Sequence, residues 1–159
     1  MSRDLDDVLG RTAEEVFESL AFVLPAFEEE EPPPDDSDDL TTAGIDFSGP
    51  FEGRLQISAS DALLPAVAAN MLGLDFGEMP AREVQIDAFK EMVNVICGNL
   101  LSRLADADAV FDVRAAEIVP DGAPPAMPVA ATARLHLEGG WAELTLFAPE
   151  EVLVVEPGA

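Results

Sequence analysis

Asp87-Ala88-Phe89-Lys90-Glu91-Met92-Val93-Asn94-Val95-Ile96-Cys97-Gly98-Asn99-Leu100 is the stretch whose periodicity decides how this chain is read. With Val93 at the centre of a buried face and roughly 100° per residue, Ile86, Phe89, Ile96, Cys97, Leu100 and Leu104 all fall within about 60° of it. That is a wide apolar stripe on an amphipathic helix, predicted to run from about Ala81 to Ala105 after Pro80. The same steps put Asp87, Glu91, Asn94 and Gly98 at roughly 100° to 160°, in one strip on the far side, with Ser102 beyond it. Glu91 and Asn94 are therefore neighbours, as residues three apart on a helix are.

An ordinary solvated face would account for such a strip, but two of its residues are poor choices for one. Asn competes with the helix for backbone hydrogen bonds, and a mid-helix Gly costs about 1 kcal/mol relative to Ala. Gly98, one turn after Asn94, removes the side chain that would hold another surface away. That other surface is either a partner or a second element of the same chain.

Working outward, a helix is predicted from about Leu5 to Leu24, ending near Pro25. Two strands follow, near Thr42 to Phe47 and Gly53 to Ser58, joined through Ser48-Gly49-Pro50. Arg54, Gln56 and Ser58 alternate with Leu55 and Ile57, as a half-buried strand requires. The next helix is expected to start with Ser60 or Asp61 as N-cap and to stop at Gly73; Pro65 is tolerable in its first turn. After the long helix come strands near Phe111 to Ile118, Val129 to Leu137 and Ala142 to Phe147, with a short strand possible at Val152 to Val155. This order predicts an α+β domain, with helices packed on a largely antiparallel sheet.

The chain has 159 residues, 48% of them hydrophobic, which suits one domain spanning 1–159. Its formal net charge of -24, with Lys90 the only lysine, argues against nucleic acid and anionic membranes as partners. Much of that charge sits in Glu28-Glu29-Glu30-Glu31-Pro32-Pro33-Pro34-Asp35-Asp36-Ser37-Asp38-Asp39, expected to be a mobile acidic loop at about 27–40. A protein that mimics nucleic acid or sequesters a basic partner would fit the charge alone. The run lacks the alternating Asp, central Gly and terminal Glu of an EF-hand loop.

One Cys and one His leave no donor set for zinc and no Cys-His dyad. Cys97 falls on the apolar face, where a buried, inert thiol is expected, and His136 alternates with apolar residues on the polar face of a strand. No Gly-rich phosphate loop follows a strand. The apolar stretch from Ala62 is broken by Pro65 and Asn70, short of the ~20 residues of a membrane span, and no leader pattern opens the chain, so a cytoplasmic location is expected.

Asp87, Glu91 and Asn94 match the motif of the CheX/CheC family of chemotaxis phosphatases: an acidic or Ser position, Glu four residues on, Asn three further. Thr12-Ala13-Glu14-Glu15-Val16-Phe17-Glu18 resembles the family's opening helix. Phe47-Ser48-Gly49-Pro50-Phe51-Glu52-Gly53-Arg54-Leu55 resembles its first hairpin, and Ala69-Asn70-Met71-Leu72-Gly73 the end of the next helix. The resemblance runs from about Leu5 to Phe147. CheC-like members carry the motif twice, but Glu18-Ser19-Leu20-Ala21 has Ala where Asn would stand, so the chain is similar to the single-motif CheX type. Pro120 is the candidate for the proline that the family carries downstream of the motif helix.

The resemblance implies a CheX/CheC-like fold and removal of phosphate from the phospho-aspartate of a CheY-like response regulator. Asn94 would orient the attacking water and Glu91 would pair with the lysine beside the phosphorylated aspartate. Asp87 and Gly98 would shape the contact. The Mg²⁺ would belong to the regulator, with no cofactor or metal bound by this chain. A non-catalytic module of the same fold, docking on a regulator or a flagellar-switch component through the same strip, is the alternative. Pairing as a homodimer through sheet edges is also implied.

Overall fold

A computed structural model of the chain describes residues 2–25, 39–74, 78–105, 108–120 and 122–149. In α1 (Ser2–Ala21) the residues Leu9, Ala13, Val16, Phe17 and Ala21 recur at three- and four-residue steps, and all are buried. They form the stripe by which α1 packs on the sheet and on the neighbouring helices. The helix ends at Ala21, short of the expected Leu24, because the next residue turns left-handed. Phe22 has φ 56°, its N–H bonds Glu18 O, and Val23 N–H reaches back to Phe17 O at 3.0 Å. This is a helix-terminating pattern that usually employs Gly.

β1 (Leu40–Ser48) and β2 (Gly53–Ser60) form the hairpin expected from their alternation, with Ile45 opposite Leu55. A short 3₁₀ turn, Asp61–Leu63, leads into α2 (Leu64–Leu72), which stops at left-handed Gly73 with φ 68°. The expected N-cap is absent. Ser60 Oγ instead donates to Trp141 O and accepts from Trp141 N–H, while Asp61 accepts the hydroxyl of Thr41. Both side chains are committed to neighbouring strands rather than to the helix start.

α3 (Arg82–Leu104) matches the long predicted helix. β3 (Asp112–Val113) and β4 (Glu117–Ile118) follow, then β5 (Val129–Leu137) and β6 (Gly140–Phe147). Six strands form one sheet in the order β3-β1-β2-β6-β5, β4 also pairing with β1, and every pairing is antiparallel. The fold is thus α+β, with helices on one sheet face. Ile45, Leu55, Ile57, Leu137 and Leu144 meet Phe17, Phe89, Met92, Ile96 and Leu100 in a single buried core.

The strand expected over 111–118 is split in two. Val113 stands opposite Phe47 but Ile118 opposite Ala43, so five steps on one side match four on the other. The extra residue makes a β-bulge between β3 and β4. At the opposite edge, Thr132 N–H in β5 bonds the Asp6 carboxylate, and Glu138 N–H just after it bonds Leu24 O. The acidic run at 27–38 and the strand expected at 152–155 lie outside the described residues.

Candidate active site

α3 is fixed at both ends. At its start Arg82 donates to Thr41 Oγ1 at 2.9 Å and lies 3.5 Å from the Asp61 carboxylate. In its last turn Arg103 reaches Thr12 Oγ1 at 2.8 Å and pairs with Glu15. Between these anchors Phe89, Met92, Val93, Ile96, Cys97 and Leu100 are buried. The remaining face presents the strip: Asp87, Glu91 and Gly98 exposed, Asn94 half-buried.

Asn94 is held from the side. Its Oδ1 accepts the backbone N–H of Ala116, in the bulge, at 3.2 Å. The acceptor end of the amide therefore faces the strand, and Nδ2 faces away from it. One turn earlier, Glu91 carries a carboxylate that enters no ion pair among the described residues, and neither does Asp87. A Cβ placed on Gly98 would meet nothing within 4 Å. Among the described residues, the gap left by Gly98 is thus open outward and is not filled by another element. An oriented neutral amide, an unpaired carboxylate and a flat approach on one rigid helix suit the positioning of a water against a docked partner.

The family model described as chemotaxis phosphatase CheX matches residues 41–118. Over that segment the chain is similar to the CheX family. That segment runs from the second residue of β1 to the end of β4 and includes all of α3, so the strip and the bulge beside it both lie inside the match. The fold extends further. A crystal structure of CheX from Desulfovibrio desulfuricans is similar with a TM-score of 0.68 at 17% identity, covering 91% of this chain and 99% of that one. CheX from Vibrio vulnificus gives 0.65 at 18%, covering 87% and 91%. The CheX of a CheX–CheY–BeF3–Mg²⁺ complex from Borrelia burgdorferi gives 0.62 at 16%, covering 91% and 97%. At such identities these structures establish the fold. No curated protein matches the chain in sequence.

The sequence placed Asp87, Glu91, Asn94 and Gly98 together, and the structure has all four on one face of α3. It missed Ala116. Pro120 lies exposed in the turn after β4, whereas the downstream group bonded to Asn94 is an N–H that a proline lacks. Only the interruption of alternation around 114–116 could have drawn attention to this segment. Its start is fixed by Phe111, which meets Phe51 and Phe47 edge-to-face at 5.3 and 5.9 Å.

Cys97 is fully buried on the core face of α3, and burial pushes its thiol up to about 12, so it supplies no nucleophile. At the second motif position on α1, Ala21 is buried and carries no amide. Among the described residues no three His, Cys, Asp or Glu side chains gather as metal ligands, and no helix is long and apolar enough to cross a membrane.

Proposed function

We propose that this chain is a CheX-family protein that hydrolyses the phospho-aspartate of a CheY-like response regulator in the cytoplasm. The observation that carries the reading is Asn94: a half-buried amide fixed by Ala116 N–H, one turn from a Glu91 that enters no ion pair among the described residues. The family's description as a chemotaxis phosphatase supports it, as does the Borrelia CheX seen in complex with CheY.

An acyl phosphate is reactive enough that hydrolysis needs chiefly a water held in line with the bond that breaks. Asn94 suits this because Oδ1 keeps a second lone pair for a water proton, Nδ2 offers donors, and the amide does not titrate. Glu91 pairs with the lysine beside the regulator's phosphorylated aspartate, and Asp87 and Gly98 shape the contact. The regulator brings the Mg²⁺ that stabilises the transferring phosphoryl group. The chain supplies orientation rather than a nucleophile.

The test is phosphate release from a panel of the host's response regulators, with wild type and Asn94→Ala side by side. Accelerated loss from one regulator, abolished by the substitution, is expected. Binding without acceleration would assign the chain to docking alone.

A further inference from the structure

The bulge between β3 and β4 leaves the sheet paired on either side of it. Arg114 N–H still bonds Asp46 O at 2.9 Å and Val119 N–H still bonds Thr42 O at 2.8 Å, so β1 is paired on both sides of it. Within the extra residue's span, Ala116 N–H leaves the ladder and points to Asn94 Oδ1. Bulges recur beside active sites, where they re-aim a group out of the pleat.

An asparagine amide with no fixed partner can flip about its last torsion, exchanging acceptor and donor ends. Only one of the two ends can face a given water. Ala116 N–H can bond Oδ1 and cannot bond Nδ2, so it selects one orientation. We propose that Ala116, through its backbone N–H, is the positioning residue that sets which end of Asn94 meets the attacking water. This rests on the hydrolytic reading above and adds to it a group outside the three-residue motif, supplied by an edge strand.

The segment is suited to that task. The Phe47, Phe51 and Phe111 cluster pins one end, the Val119–Thr42 bond pins the other, and Ala116 is 4% exposed. The N–H is therefore delivered from a fixed place. Because the segment lies on a sheet edge and at a bulge, a proline can be accommodated there. Ala116→Pro then deletes the donor that Asn94 uses and no ladder bond.

The experiment combines kinetics with backbone amide exchange in the full chain. A CheY-like regulator is charged with radiolabelled acetyl phosphate, and its dephosphorylation is followed with wild type, Ala116→Pro, Ala116→Ser and Asn94→Ala. Ala116→Pro is expected to lower kcat on the order of tenfold, as for loss of one neutral hydrogen bond that fixes an orientation, with KM unchanged. Ala116→Ser, which keeps the N–H, retains wild-type kcat. Exchange is read independently of activity: the Ala116 amide is protected in wild type and in Asn94→Asp, which keeps an acceptor, and unprotected in Asn94→Ala.

Wild-type kcat in Ala116→Pro, or equal Ala116 protection in Asn94→Ala and wild type, overturns the proposal. If Ala116→Pro does not fold, the exchange comparison decides. Full activity in Asn94→Ala would instead defeat the hydrolytic reading, and with it any catalytic role for Ala116.

Discussion

Gly98 should be worth more to function than to folding, and replacing it separates the two. It sits inside α3, six residues before the helix ends at Leu104, without a positive φ to require glycine. A Cβ there would meet nothing within 4 Å. Gly98→Ala therefore removes backbone freedom from the unfolded chain and introduces no clash, a gain of about 1 kcal/mol. For a chain of this size that raises Tm by roughly 2–4 °C. Gly98→Gln keeps most of the gain, since Gln is a good helix former, but projects a side chain over the strip beside Asn94. The docked regulator would then be held off, and kcat/KM should fall about tenfold or more, because small displacements of a reacting pair carry large rate penalties. Thermal melting followed by circular dichroism reads the first effect, and phosphate release from the charged regulator reads the second. A lowered Tm in Gly98→Ala would refute the claim that the gap is open. Unchanged kcat/KM in the more stable Gly98→Gln would refute the claim that the partner approaches there.

Two further outcomes follow from the same geometry. Cys97 keeps its proton in the fold up to about 12 but loses it near 9.0 when unfolded, so its contribution is complete below about pH 9 and declines as pH rises. With no tyrosine and one lysine in the chain, stability in urea should fall by about 1.4 kcal/mol per pH unit above that point. Cys97→Ala should flatten this slope whatever it does to stability at neutral pH; an equally steep decline in the variant would show that the thiol is not its source. Glu91 is exposed and unpaired among the described residues, so Glu91→Gln should alter stability by no more than about 0.5 kcal/mol. It should raise KM for the regulator and weaken the dependence of kcat/KM on salt, and an unchanged salt dependence would remove Glu91 from the contact.

Much of this was legible in the chain because two periods carry it. The apolar residues of α3 recur at helical spacing over more than five turns, which fixes the orientation of the polar strip once the core side is known. Leu55, Ile57 and the partners that alternate with them fix β1 and β2 in the same way. The parts that were missed depend on contacts distant in sequence. Ser60 reads as a cap until Trp141, far along the chain, claims its hydroxyl. Phe22 gives no local sign of a left-handed turn, since glycine usually fills that place. The bulge near Ala116 lies in an edge segment whose side chains are mostly exposed, so the broken alternation around 114–116 marks an irregular segment without fixing the slip of one residue. That slip nonetheless decides what Asn94 touches.

The central claim is that the Asn94 amide aims the water that attacks the regulator's phospho-aspartate. It is tested most directly by the first-order rate of phosphate loss from the charged regulator with saturating wild type and with saturating Asn94→Ala, both shown to melt at the same temperature. Wild type is expected to accelerate the loss, and Asn94→Ala to return it to the regulator's own rate while still binding. Equal acceleration by the two proteins would contradict the claim.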